Sequence, residues 1–547
     1  MEKFKLNIEY KAGNTVYKTN LFETPDFKIN YKASTQRIRL DLKTKVPIEI
    51  LNLTVTVPYA FDVDDRVFPN GYQSWTDCRE MFVNEVPQHT VLPTTLVFRH
   101  TLLGASGSYN FTENIKKPGV FTAFSYLYVR NGSEYDLFAS LSERNGYTII
   151  RTDCEKGEIN ITKDLEGVVY NGEYNIFDVV HLTGEEDEVF DKWFALMNIE
   201  KPTAKVKNGY TTWYNYYSNI NEKIVTDDLE ALSKIDADVD IFQIDDGYQT
   251  ATGDWLSIDF KKFPHGMKAE ADAIHKKGML AGLWLAPFGA QFTSNILKTH
   301  PDWFIKDQKG KLVKCGPNWG GFCALDIEIP EVRDYIKHFF DVVLNDWGFD
   351  LVKLDFLYAA CQIPNHNKTR GQLMCEAMDF LRECVGDKQI LGCGVPLMPS
   401  FGKVDYCRIG ADMDLKWDSQ TFTHREFVST KNTLGNSIFR RQLNGRAFLN
   451  DPDVFLLRDN NMQCTFEQRK IIATVNKLFG SVLFTSDNVG DYRQEQLDEL
   501  LKVFSKDNVK ILRAEFMYDN RRVIDIDYII NEKFENFRFD LENGKIL

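Results

Sequence analysis

Carboxylates recur where short apolar runs end in the middle of this 547-residue chain. IFQIDD ends in Asp245 and Asp246, LVKLDF carries Lys353 and Asp355, CRIGAD carries Arg408 and Asp412, and LNDPD carries Asp451 and Asp453. Two acids held across one site can perform double displacement at a sugar's anomeric carbon, one as nucleophile and the other as acid, then base; this needs the carboxyls about 5–5.5 Å apart. Lys353 and Asp355 are two apart, so in a strand both side chains take one face. There the ammonium is expected to lower the Asp355 pKa and keep it ionised, as a nucleophile requires; a structural ion pair is the alternative. Asp412 supplies the second acid and must start protonated, or else it is a turn or helix cap. Asp245 and Asp246 suit the gripping of neighbouring hydroxyls by charge-assisted bonds, or merely open a turn. Trp284 in GLWLAPF and Trp213 in TTWYNYY are wall aromatics for a pyranose or core residues. The Asp451-Pro452-Asp453 element reads as a rigid structural turn and stays outside the catalytic set.

Groups at the ends of successive strands need a scaffold that points all its strands one way. From about residue 203, apolar strands alternate with helical patterns. Strands are expected over 209–217, 241–245, 280–286, 351–356, 389–393, 406–410, 448–450 and 481–485, and helices over 226–235, 330–347, 371–385 and 465–478. Thr226, followed by Asp227 and Asp228, reads as a helix start. Eight such units predict a (β/α)8 TIM barrel with its chemistry at the C-terminal strand ends. A doubly wound open sheet is the rival, but no GxGxxG or P-loop follows any strand.

Before the barrel, alternating runs at 27–31, 37–42, 51–57, 121–129, 147–151 and 165–170 predict antiparallel sheets packed as a sandwich. A helix over 185–196 then leads to a boundary at Lys201-Pro202. The tail alternates again over 508–518 and 522–530. The expected division is an N-terminal β-sandwich over 1–200, a catalytic barrel over 201–506 and a small antiparallel β domain over 507–547.

Composition narrows the partners. With 79 acidic against 65 basic residues the net charge is −14, and no basic block occurs, which disfavours nucleic acid and anionic membranes. The N-terminus lacks a signal-peptide core and no apolar run is long enough to span a bilayer, so a cytoplasmic location is expected. The ten cysteines lack CxxC spacing and read as reduced, buried thiols; the nine histidines form no metal motif, so no cofactor is expected.

The stretches TTWYNYY, FQIDDGYQ, GLWLAPF, HPDW, ALDI, VKLDFL, GCGVPLMP, CRIGAD and LNDPD, in this order, resemble the α-galactosidases of glycoside hydrolase family thirty-six. The resemblance implies a retaining, exo-acting mechanism without metal or organic cofactor. Asp355 falls at the nucleophile and Asp412 at the acid/base. Asp245 and Asp246 fall at the pair that holds the galactose 4- and 6-hydroxyls. Lys353, Cys393 and Arg408 fall around the 2- and 3-hydroxyl side and the nucleophile, and Trp284 at a wall aromatic. It also implies an N-terminal β-supersandwich and a small C-terminal β domain. A neutral oligosaccharide or glycoconjugate with terminal α-galactose is the implied partner, and homo-oligomers are compatible with the family.

The chain departs from the family at Tyr210 and Thr212, where members often carry Trp and Ser, and at Ala411 and Met413, which flank the acid/base. Galactose, N-acetylgalactosamine and transfer to sugar acceptors therefore remain alternatives, with a catalytically silent sugar-binding protein as the rival from another class. In NGYQSW, Asn70-Gly71 reads alone as a turn whose rings pack inward. A similar NxWQSW stretch in the family reaches over the barrel mouth, which implies that Trp75 is a substrate wall while Tyr72 is structural.

Overall fold

The computed structural model describes residues 1, 3–87, 104–113, 115–418 and 424–547. Alternating apolar residues such as Ile38, Leu40 and Leu42 build two seven-stranded N-terminal sheets around a shared core. The run 121–129, expected as one strand, is two. Thr122–Phe124 pairs in one sheet and Tyr126–Asn131 in the other. The chain changes sheets at Ser125, whose φ is +67°. Asn70 holds that corner, its side-chain amide donating to the Phe124 carbonyl (2.9 Å) and its own carbonyl accepting from Phe124 N (2.8 Å). Alternation alone carries no sign of such a corner. The run 165–170 likewise contributes only Val169–Tyr170 to a sheet.

The barrel strands run, in order, Lys207–Thr211, Ile241–Ile244, Leu280–Leu285, Leu351–Leu354, Gln389–Gly392, Tyr406–Arg408, Leu449–Asp451 with Val454–Phe455, and Val482–Thr485. Each pairs in parallel with the next, and strand eight pairs with strand one. Closure runs through strand seven, which Pro452 divides. Leu449–Asp451 pairs with strand six and Val454–Phe455 with strand eight. Proline lacks the ladder donor, and Asp453 after it takes a positive φ of +73°.

Other expectations need correction. Strand one stops at Thr211, and the aromatics after it form a helical turn, Trp213–Tyr216. The side chains of Thr212 and Ser486 accept hydrogen bonds from Asp245 N and Tyr214 N (3.0 Å each), turning the chain off the strand. The first barrel helix is Glu222–Leu232, not 226–235, because Asn221 caps it by accepting from Ile224 N. Asp228 sits buried inside that helix and accepts from the hydroxyls of Tyr210 and Tyr216. The helix after Pro330 ends at Asp341 and continues as a wider turn over Val342–Asp346.

After strand three the chain makes an excursion, a three-stranded antiparallel sheet that carries Trp319 between its last two strands. The tail forms a four-stranded antiparallel sheet over Val509–Phe516, Val523–Ile530, Lys533–Asp540 and Lys545–Ile546. All ten cysteines are unpaired, and all but Cys154 and Cys384 are buried. Among the described residues no helix is long and apolar enough to cross a membrane.

Candidate active site

A cavity of about 270 Å³ opens at the C-terminal ends of the barrel strands. Trp75, Trp213, Asp245, Asp246, Trp284, Lys353, Asp355 and Asp412 all line it. Asp355 is the first residue after strand four. Its Oδ1 accepts from Phe356 N (2.8 Å) and its Oδ2 from Trp284 Nε1 (3.1 Å). Phe356 takes a left-handed φ of +53°. A bulky residue there costs about 1–3 kcal/mol of backbone strain, and the turn aims the backbone N–H back at the carboxylate.

Lys353 corrects one expectation. Its ammonium bonds Asp245 Oδ2 (2.8 Å) on strand two's end, not Asp355, its neighbour along the strand. Asp245 also accepts from Gln243 Nε2 (3.0 Å) and Asp246 N (2.9 Å). Burial pushes the Asp355 carboxyl above its ordinary value; Lys353 opposes that, the Asp412 charge adds to it, and the bonds from Trp284 and Cys393 lower it. The net direction is up, opposite to the lowering expected from the Lys353–Asp355 spacing, because desolvation outweighs a lysine already engaged elsewhere. Burial also raises the Asp246 carboxyl, against the donors Trp319 Nε1 (2.8 Å) and Gln249 Nε2 (2.6 Å).

Arg408 and Cys393 stand behind the wall. The buried Arg408 guanidinium is shared by Asp412 Oδ1 (2.7 Å), Asp453 Oδ1 (2.7 Å) and Asp451 Oδ2 (3.3 Å). Asp453 further accepts from Tyr214 hydroxyl (2.5 Å) and Met413 N (2.7 Å), fixing the backbone beside Asp412. The Asp-Pro-Asp turn thus closes the barrel and clamps the arginine that holds Asp412. Cys393 Sγ accepts from Trp75 Nε1 (3.3 Å), and burial pushes its thiol pKa up.

Trp75 arrives from the N-terminal sandwich and meets Phe356 and Tyr358 edge to face. The fully buried Arg440 donates to Asn70 Oδ1 (3.1 Å) and to the Ser74 (2.6 Å), Gln73 (3.2 Å) and Ile409 (2.7 Å) carbonyls, tying NGYQSW to the barrel. At Gly394 (φ +55°) a Cβ would lie 2.9 Å from the Trp75 ring, so only glycine admits it. Tyr72 is buried, its hydroxyl 3.4 Å from Cys361 Sγ.

Sequence reasoning missed Trp319, Phe356, Tyr358, Ser106 and Glu426, all of which line the cavity. NWGG, with its two glycines after an aromatic, was the available signal for Trp319.

Residues 209–380 match the protein-family model described as Melibiase. The match covers less than a third of the chain. The resemblance to family-thirty-six α-galactosidases is borne out by this match together with the relatives. The chain is 32% identical over 155 residues to an A type blood alpha-D-galactosamine galactosaminidase of Flavonifractor plautii, covering 26% of this chain and 14% of that protein. It is 25% identical over 293 residues to an alpha-galactosidase of Escherichia coli, covering 51% of this chain and 38% of that protein. The matches thus span well under half of either relative's length. The fold of TtGalA, an alpha-galactosidase from Thermus thermophilus solved with p-nitrophenyl alpha-D-galactopyranoside, superposes with a TM-score of 0.73 at 22% identity, covering 98% of this chain and 99% of that one. That likeness supports the fold of sandwich, barrel and small β cap.

Proposed function

We propose that this chain is a retaining, exo-acting α-galactosidase. The observation that carries the reading is one cavity lined by Asp355 and Asp412 from separate strands and by the Asp245–Asp246 pair. In the proposed reaction Asp355 attacks the anomeric carbon while Asp412 protonates the leaving oxygen. Asp412 then deprotonates water, which releases galactose from the covalent ester. Asp245 and Asp246, already oriented by Lys353 and Trp319, accept the sugar's hydroxyls. Trp75, Trp213 and Trp284 form its apolar walls. Arg408 stays charged and positions Asp412, and Cys393 positions Trp75.

Asp355→Ala is expected to lower p-nitrophenyl α-galactoside hydrolysis by about a thousandfold or more. Azide should restore turnover with a β-galactosyl azide product. Robust activity in Asp355→Ala without azide would sink the reading. Likeness to a galactosaminidase favours one second reading, an enzyme for 2-amino or 2-acetamido galactosides. Parallel kcat/KM values on aryl α-galactoside, α-galactosaminide and α-N-acetylgalactosaminide separate the two.

A further inference from the structure

Of the described carboxylates that line the cavity, Glu426 alone has no part in the proposed mechanism. Glu426 lines the wall, with its side chain only 2% exposed. Its Oε1 accepts from Thr76 Oγ1 (2.9 Å) and its Oε2 from the Tyr109 hydroxyl (2.8 Å), with His424 Nδ1 3.5 Å from Oε2. Thr76 and Tyr109 belong to the N-terminal part of the chain, whereas Glu426 follows barrel strand six. Gly107 makes room for the pair, because a Cβ there would lie 2.3 Å from the Tyr109 ring and 3.0 Å from Glu426 Oε2. Burial pushes the Glu426 carboxyl up, but His424, Arg425 and Tyr109 together hold it below its ordinary value, so it is a carboxylate. A carboxylate has about four acceptor positions. Two direct donors and one imidazole leave capacity for a hydroxyl in the cavity.

The segment that carries Glu426 is tethered to the one that carries Asp412. Ser429 N donates to the Asp412 carbonyl (3.0 Å), and Thr430 Oγ1 donates to the Asp414 (3.0 Å) and Lys416 (2.8 Å) carbonyls. The residues just before Ser429 therefore hang from the backbone of the proposed acid. An acid that protonates the glycosidic oxygen stands at the border between the galactose and its leaving group. Asp245, Asp246 and Asp355 reach the cavity from the ends of strands two and four. His424, Glu426, Phe427 and Val428 line the same cavity from the segment that leads to Ser429, joined by Ser106 from the N-terminal part of the chain; that they face the leaving group is the step the proposal adds.

We propose that Glu426, held by Thr76 and Tyr109, accepts hydroxyls of the leaving group and so selects sugar leaving groups over aryl ones. This rests on the α-galactosidase reading above. A purely structural Glu426 would serve only as a seam between the sandwich and the barrel, and the two roles give different kinetics.

The test uses the full chain and Glu426→Gln, with p-nitrophenyl α-galactoside, melibiose and raffinose as substrates. Loss of one charge-assisted bond is expected to lower kcat/KM for melibiose and raffinose by about tenfold or more, through KM, with less than about a threefold fall for the aryl galactoside. A second measurement uses the aryl galactoside as donor and sucrose as acceptor. The ratio of transfer to hydrolysis should fall several-fold in Glu426→Gln, and this ratio does not depend on how much enzyme is folded. An equal loss on all three substrates with an unchanged transfer ratio overturns the assignment and leaves the seam role. A wild-type chain inactive on all three substrates instead removes the galactosidase reading, and the assignment with it.

Discussion

The floor and the rim of the cavity are built in different ways. On the floor, Asp245, Asp246 and Asp355 each sit one or two residues past a barrel strand, so the strand ladder itself sets their positions. On the rim, Trp75 and Ser106 come from the sandwich and Glu426 from a loop well beyond strand six. They are placed by bonds across hundreds of residues, such as Arg440 to Ser74 and Thr76 to Glu426. The floor is thus held by regular backbone pairing and charge, and the rim by a few buried side chains. Chemistry should depend on the floor and fit on the rim, and the two should fail differently.

The largest expected effect comes from breaking the rim's anchor. Arg440→Met takes the donor from four acceptors, of which the Gln73 carbonyl keeps a second donor, Thr76 N. It should cost about 3 kcal/mol or more of stability, read as a lower urea midpoint, because buried groups left unpaired are costly. Trp75→Ala keeps that anchor and removes only the wall. It is expected to raise KM for α-galactosides by about tenfold or more, with a smaller change in kcat and an unchanged far-ultraviolet CD spectrum.

The floor is probed by its charge. Lys353 lowers the Asp355 pKa, so Lys353→Met should raise it further. Ionised Asp355 then forms only at higher pH, and the acid limb of the kcat/KM profile should move to higher pH. In Trp75→Ala that limb should stay in place, and a matching shift there would erase the distinction between floor and rim.

The smallest effect belongs to neither region. Glu270, on an outer barrel helix, is pushed up to about 7 by burial and by the Glu222 charge, against His265. The folded state holds its proton where the unfolded chain, near the ordinary value of 4.5, has lost it. Its contribution to stability therefore falls as pH rises from about 4.5 to about 7. Glu270→Gln should raise the Tm at pH 8, change it little near pH 4, and leave kcat/KM alone.

Most of the floor was legible because its signals are local. An apolar run that ends in a carboxylate states both a strand and what stands at its end, so Asp245, Asp246, Asp355 and Asp412 could be named from spacing. Even there, spacing misassigned the partner of Lys353. Residues two apart share a face, but Lys353 bonds Asp245 at the end of strand two, across strand three, which lies between them. The helix start at Thr226 failed because Asn221 caps the helix a turn earlier, and Asp228 inside it is committed to two tyrosine hydroxyls. Trp75 was reached through a resemblance and not through its own neighbours in the chain.

What the sequence by itself determined is the order of elements and the chemistry at each strand end, because periodicity and turn residues act over a few positions. Only the tertiary structure decided which charges meet, that Pro452 divides the strand that closes the barrel, and that Thr76 and Tyr109 hold Glu426. Those outcomes depend on burial and on contacts between segments far apart in the chain, and neither has a period that a sequence can display.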